Sequence, residues 1–152
     1  MAAFHALVGF AAVATSIGSY YIHAVDVTTV HKVASYLGTL IGGITFTGSI
    51  AAFLKLSGIK FTFDLPMKRH LNLPLGLLNL AAFGAIITSQ NPNLASLALS
   101  YATISSFALG WNITNSIGAA DMPVAITVLN SYSGWALCSE GFMLSNNMLT
   151  IV

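Results

Sequence analysis

The chain has 152 residues, of which 56% are apolar and only 6% charged, with a formal net charge of +1. Ordinary soluble domains are roughly a quarter charged, so this chain lacks the polar groups to cover a globular surface and reads as a membrane protein or part of one. The few cations exclude the basic surface that nucleic acid requires, and the single cysteine, Cys138, excludes an intrachain disulfide.

An apolar run of about 20 residues is long enough to cross a bilayer as a helix. The sequence predicts five such spans, Ala2–Ile22, 33–53, 71–88, 94–117 and Met122–Met143. A sixth begins near Asn147 and stops after too few residues to cross anything. The runs are uniformly apolar over many turns, which argues for helices rather than the alternating strands of a barrel. The expected fold is therefore all-α, a polytopic transmembrane helix bundle of five full spans plus the start of a sixth. The abrupt end, and a first span with no basic leader before it, suggest a piece of a larger assembly.

The first span carries His5, Gly9, Ala12 and Ser16 at spacings of three and four, a stripe with a titratable group at its head. Imidazole exchanges protons near neutral pH without extreme tuning, and an ionisable residue inside a membrane is a functional candidate by default. In the second span Ser35, Gly38, Gly42, Thr45 and Ser49 form a similar stripe, with Gly38 and Gly42 as a GxxxG pair. That stripe serves either close helix packing or a wall of hydroxyls along a hydrated path. The remaining histidines, His23, His31 and His70, fall at helix ends or in loops and read as interfacial. A metal site from His23, Asp26 and His31 would need unusual loop geometry and is not expected.

The loop "KLSGIKFTFDLPMKRH" holds Lys55, Lys60, Lys68 and Arg69, four of the five cations. By the positive-inside rule it faces the cytoplasm, or the matrix of a mitochondrion. The first and fifth spans then both start on that side, with Asp121 near it and Glu140 toward the opposite face. In the third span only Pro74 could break a helix, and "NLAAFGAIITSQNPNL" carries little information of its own.

The fifth span keeps an amide in the middle of an otherwise apolar run. Asp121 precedes Met122 and Pro123 as a helix N-cap would. Asn130 lies nine residues on, about 13 Å along the axis and close to the middle of the hydrocarbon core. Ser131, Ser133 and Gly134 follow it and read as packing or polar-path positions. An amide at that depth needs partners, either as glue between helices or within a functional site. An internal similarity favours a site: "AAFHALVGFAA" set over "TVLNSYSGWAL" aligns His5 with Asn130, Gly9 with Gly134 and Phe10 with Trp135. Two like-oriented helices would then present an imidazole and an amide at related depth.

The fifth span, "AADMPVAITVLNSYSGWALCSEGFML", resembles the membrane domain of the proton-translocating NAD(P) transhydrogenases. "FHALVGFAAV", "LGTLIGGITFTGSIAAFLKLSG" and "LPMKRHLNL" are similar as well, so the likeness runs over essentially the whole chain; Leu54 departs from it, since members often have glycine there. The resemblance implies a proton-conducting membrane domain coupled to hydride transfer from NADH to NADP, giving NADPH and NAD, with inward proton movement. It also implies partner domains that bind NAD(H) and NADP(H), further transmembrane helices, and a homodimeric complex. His5 matches the family's proton-carrying histidine, Asn130 its helix asparagine, and Asp121 its aspartate facing the NADP(H)-binding domain.

No Gly-rich dinucleotide fingerprint follows a strand anywhere, so residues 1–152 are expected to form part of one transmembrane domain that binds neither nucleotide and holds no cofactor or metal. The "WALCSEGF" stretch resembles mitochondrial members and points to the inner mitochondrial membrane rather than a bacterial cytoplasmic membrane. Two other classes remain open from the residues alone. A secondary transporter would use polar midplane residues but would be expected to show broken helices; a structural assembly subunit would explain the small-residue stripes but has no need of His5 at depth.

Overall fold

A computed structural model describes residues 1–23, 28–59, 68–89 and 91–151, with the side chains of Lys68 and Arg69 outside the description. Asp26 and Lys60, which figured in the reading of the loops, also lie outside the described residues. The described residues are helical throughout, with α1 over Ala2–Ile22, α2 over Thr29–Leu56, α3 over Lys68–Thr88, α4 over Pro92–Ser116, α5 over Met122–Met143 and the short α6 over Asn147–Ile151.

Four helices, α1 to α4, are long and apolar enough to cross a membrane. The fifth expected span, α5, has 22 residues, but Asn130, Ser131, Ser133 and Glu140 dilute its apolar character, and it is not among those four. The sixth is a helix of five described residues. The spans read from the sequence were also too short at several ends. Hydropathy sees only the greasy positions, whereas α2 is extended by a Thr28 N-cap, whose hydroxyl accepts from the His31 N–H at 3.3 Å. Its 28 residues rise about 42 Å, more than a hydrocarbon core of about 30 Å. Pro74 lies inside α3 without ending it.

α2 is the central helix, in contact with α1, α3, α4 and α5, while α3 packs chiefly on α4 and α1 also meets α5. Neighbouring ends define the topology. The N-terminal part of α2 meets the C-terminal parts of α1 and α5, through Ser19 with His31 and Ser35 with Met143. Its C-terminal end meets that of α4 through Lys55. Helices α1, α3 and α5 therefore run one way and α2 and α4 the other, as the loop charges required.

Small residues let α2 touch so many neighbours. A Cβ on Gly9 of α1 would sit 2.6 Å from the Phe46 backbone nitrogen and 2.7 Å from the Gly42 carbonyl oxygen, so here the two backbones are in contact. Gly43 meets Ser106 of α4, and Gly110 of α4 meets the Ile44 backbone. The stripe of α2 read from the sequence, Ser35, Gly38, Gly42, Thr45 and Ser49, is buried at every position, and Gly38 and Gly42 lie against Ser16 and Ala12 of α1. Small residues at the interface are the normal means of close packing between membrane helices. Large apolar side chains such as Phe4, Leu7, Phe10, Leu77 and Leu97 point outward instead.

Two lysines close helix ends that would otherwise leave bare carbonyls. Lys55 Nζ donates to the carbonyls of Thr114 at 3.2 Å, Asn115 at 2.6 Å and Ile117 at 2.8 Å, at the C-terminus of α4. Lys32 Nζ donates to the Ser89 carbonyl at 2.9 Å, just beyond α3. A cation here answers both the unpaired carbonyls and the negative end of the helix dipole. Lys55→Ala is expected to destabilise the bundle by about 1–2 kcal/mol, read as a lower midpoint of thermal unfolding in detergent, with Lys55→Arg keeping most of the stability.

Candidate functional site

His5 lies in the first turn of α1 yet deep in the bundle. Its side chain is only 6% exposed, with the Phe4 ring edge-on at 5.9 Å. Its depth follows from its partner on α5, because Ser133 Oγ lies 3.5 Å from His5 Nδ1. Ser133 is in the middle of α5, about 18 Å beyond Asp121 along the helix axis. The serine hydroxyl also donates to the Leu129 carbonyl at 3.1 Å. With its single hydrogen engaged there, its oxygen accepts from a protonated Nδ1; if the tautomer reverses, the hydroxyl turns to donate to the ring.

Around this pair is a seam of buried polar side chains on α1, α2 and α5. The antiparallel register of α1 and α2, fixed by Gly9 against Gly42 and Phe46, continues one turn to bring Ser49 to the level of His5. Ser49 Oγ, Thr39 Oγ1 and Ser16 Oγ are buried with no hydrogen-bond partner among the described residues. Thr45 alone on this stripe satisfies itself, donating to the Ile41 carbonyl at 2.8 Å. A buried hydroxyl with no bond costs about 1–3 kcal/mol, and Ser49 and Ser16 carry that cost on the faces of α2 and α1 nearest this pair. The glycines of the stripe pack against α1, while of its hydroxyls Ser35 donates to Met143 Sδ at 3.3 Å, Thr45 to its own helix, and Ser49 has no partner among the described residues.

The other expected site residues fall elsewhere. Asn130 is exposed, on a face of α5 that it shares with Thr127, Ser131 and Gly134, and nothing lies within 4 Å of a Cβ built on Gly134. The internal similarity therefore does not carry through to placement. Gly9 is clamped between backbones and Gly134 is open; His5 is buried and Asn130 is not. One turn separates Asn130 from Ser133, the residue that does meet the imidazole. Asp121 does occupy the N-cap position of α5, at the end of a short 3-10 turn over Ala119–Asp121, but its side chain makes no capping hydrogen bond and is exposed.

His23 and His31 stand ring to ring at 5.2 Å, tied to Ser19 through its carbonyl at 3.0 Å and its hydroxyl at 3.4 Å. Among the described residues no group of three His, Cys, Asp or Glu side chains comes together as a metal site.

A second polar cluster was not foreseen. Tyr36 of α2 donates its hydroxyl to Asn79 of α3, 2.8 Å from the carbonyl and 3.1 Å from Oδ1. Ser105 of α4 donates to the same Oδ1 at 2.9 Å, and Asn79 Nδ2 donates to the Leu75 carbonyl at 2.8 Å. Its bonds are made, so it locks α3 and α4 to α2 and offers nothing to a proton. The signal in the sequence was Asn79, two turns after Asn72 in a mainly apolar span.

A helical bundle with His5 buried against Ser133 is the context in which the comparisons with known proteins apply. The family model described as NAD(P) transhydrogenase beta subunit matches residues 1–152. The chain is 41% identical over 167 aligned residues to the NAD(P) transhydrogenase subunit beta of Rhodospirillum rubrum, covering 99% of this chain and 34% of that protein. A named strain of the same species gives the same figures. The chain thus spans about a third of the length of the curated relatives it matches. Together with its four helices long and apolar enough to cross a membrane, the match over the full length makes this chain a multi-pass membrane member of the NAD(P) transhydrogenase beta subunit family.

Proposed function

We propose that this chain is the proton-conducting membrane part of a proton-translocating NAD(P) transhydrogenase, and that His5 is the group that carries the proton. The observation behind this reading is the buried imidazole of His5 against Ser133, with the unpaired hydroxyls of Ser49 and Ser16 on the neighbouring helices. Partner domains bind NAD(H) and NADP(H) and transfer hydride from NADH to NADP; the membrane part moves a proton inward, toward the side of the basic loop. The state of the bound nucleotide decides which side His5 reaches, which requires two conformations that the nucleotide binds unequally.

Asn130, Ser131 and Gly134 belong in this reading to a face covered by further transmembrane helices of the longer protein. Polar groups cannot face lipid without cost, and the relatives are about three times as long as this chain. Asp121, exposed at the basic-loop end of α5, is the contact toward the NADP(H)-binding domain. The complex is a homodimer, and its membrane, by the "WALCSEGF" stretch, is that of the mitochondrion, although the relatives matched are bacterial.

The test uses the complete enzyme in sealed vesicles. A proton gradient imposed toward the basic-loop side is expected to accelerate formation of NADPH from NADH and NADP, and an uncoupler is expected to abolish the acceleration. A nucleotide rate indifferent to the gradient would overturn the reading. So would a proton flux that follows an added solute instead, as in a secondary transporter.

A further inference from the structure

Two amides, one on α3 and one on α4, hold buried polar atoms that nothing bonds. Asn112 of α4 is 1% exposed, and its Nδ2 has no hydrogen-bond partner among the described residues. The same holds for Oδ1 of Asn72 on α3, an atom that is itself buried. A bare amide group inside a bundle is costly, because neither lipid nor apolar side chains replace the bonds it makes in water. Two turns away the same interface shows the satisfied alternative, where Ser105 donates to Asn79 Oδ1 at 2.9 Å.

The register of α3 and α4 brings the two amides to one level. α3 ends at Thr88 and α4 starts at Pro92, and so short a connection makes them antiparallel neighbours. Near the connection Ile86 shares a core cluster with Ala98. Seven residues back on α3 and seven forward on α4 come Asn79 and Ser105, which are bonded. The next step of seven, about 10 Å further along both axes, sets Asn72 opposite Asn112. Both stand toward the basic-loop ends of their helices, Asn72 in the second turn of α3 and Asn112 one turn before Ser116.

The two atoms are complementary, since Oδ1 accepts and Nδ2 donates. Neither bonds the other, so whatever satisfies them sits between them. A cation there would face the Asn112 donor and an anion the Asn72 acceptor, which leaves a small neutral molecule that donates and accepts at once. Water meets both demands, and buried waters in proteins hold such positions, bonded to polar groups that the chain leaves unsatisfied.

We propose that one ordered water molecule sits between α3 and α4, accepting from Asn112 Nδ2 and donating to Asn72 Oδ1. It gives this helix pair a second clamp beside the direct bond of Ser105 to Asn79. The inference is independent of the reading of His5, which lies on α1 against Ser133 of α5.

The experiment has two arms, both on the complete enzyme. The first is an experimental map at a resolution that shows water. Density is expected within about 2.7–3.2 Å of both Asn72 Oδ1 and Asn112 Nδ2; a direct bond between the amides, or a dry gap, would overturn the inference. The second arm compares Asn72→Val, Asn112→Val and the double variant by thermal unfolding in detergent. Valine has a helix propensity close to that of asparagine, and two valines fill about the volume of two amides and a water. Each single variant strands the opposite amide and is expected to lower the midpoint by a few degrees. The double variant leaves nothing stranded and is expected to recover part of the loss. Losses that simply add would show that the two amides share no partner and would overturn the inference. If a single variant does not assemble, the map of the wild type decides.

Discussion

His5→Ala in the complete enzyme is expected to reduce coupled transhydrogenation by about a hundredfold or more, the range for loss of a group that takes and gives a proton in each turnover. Hydride exchange that needs no net proton movement should persist at the peripheral domains. The substitution removes a ring that packs edge-on against Phe4 and meets Ser133 at 3.5 Å, so some stability is lost too, and assembly must be compared before rates are. Ser133→Ala separates the two effects. It leaves the imidazole in place and removes only its hydroxyl partner, which also donates to the Leu129 carbonyl. A pumping defect in Ser133→Ala smaller than that of His5→Ala, with a shifted pH profile of the coupled rate, marks the hydroxyl as an orienting partner of the ring. Coupled steady-state rates with both directions of nucleotide reduction are the measurement.

Gly9→Val carries the largest structural effect. The contacts that a Cβ would meet at Gly9 are the backbone nitrogen and Cα of Phe46 and the carbonyl of Gly42, at 2.6, 3.1 and 2.7 Å. Backbone atoms cannot rotate aside, so α1 and α2 must separate along their length. Overpacking of this kind costs about 1–3 kcal/mol for added methylenes in a core, and the branched side chain of valine stands at the upper end or beyond. Because α1 carries His5 and α2 carries Ser49, the separation would also widen the seam at the proton carrier. Loss of assembled protein, or a sharply lower thermal midpoint in detergent, is the expected outcome. Gly134→Val, whose Cβ meets nothing within 4 Å in this chain, is the contrasting substitution: alone, this bundle should tolerate it, and a defect confined to the complete enzyme would show that further helices cover that face.

What the sequence made legible follows from what its patterns encode. Long apolar runs locate α1 to α4 within a few residues, because crossing hydrocarbon demands such runs and the residues between them break them. The stripes on α1 and α2 were legible for a similar reason, since spacings of three and four put His5, Gly9, Ala12 and Ser16 on one face whatever covers it. Partner identity was not legible. Lys55 counted as one loop cation, and its role at the carbonyls of Thr114, Asn115 and Ile117 depends on where α4 ends in space. Asn79 sits in a stretch with no motif, and its network with Tyr36 and Ser105 joins residues from three helices. Asn130 illustrates the limit most clearly. Its depth was readable from the helical rise, but the side of α5 that faces α1 was not, and an alignment matched it to His5 when the residue opposite the imidazole is Ser133, one turn away.

The central claim is that protons cross this bundle by way of His5. Its most direct test is the number of protons moved per NADPH oxidised by NAD in sealed vesicles carrying equal amounts of assembled wild-type or His5→Ala enzyme. The account predicts steady proton movement in the wild type and none above leak in His5→Ala, with hydride exchange retained at the peripheral domains. Wild-type proton movement in His5→Ala would contradict it and place the path outside the α1–α5 seam.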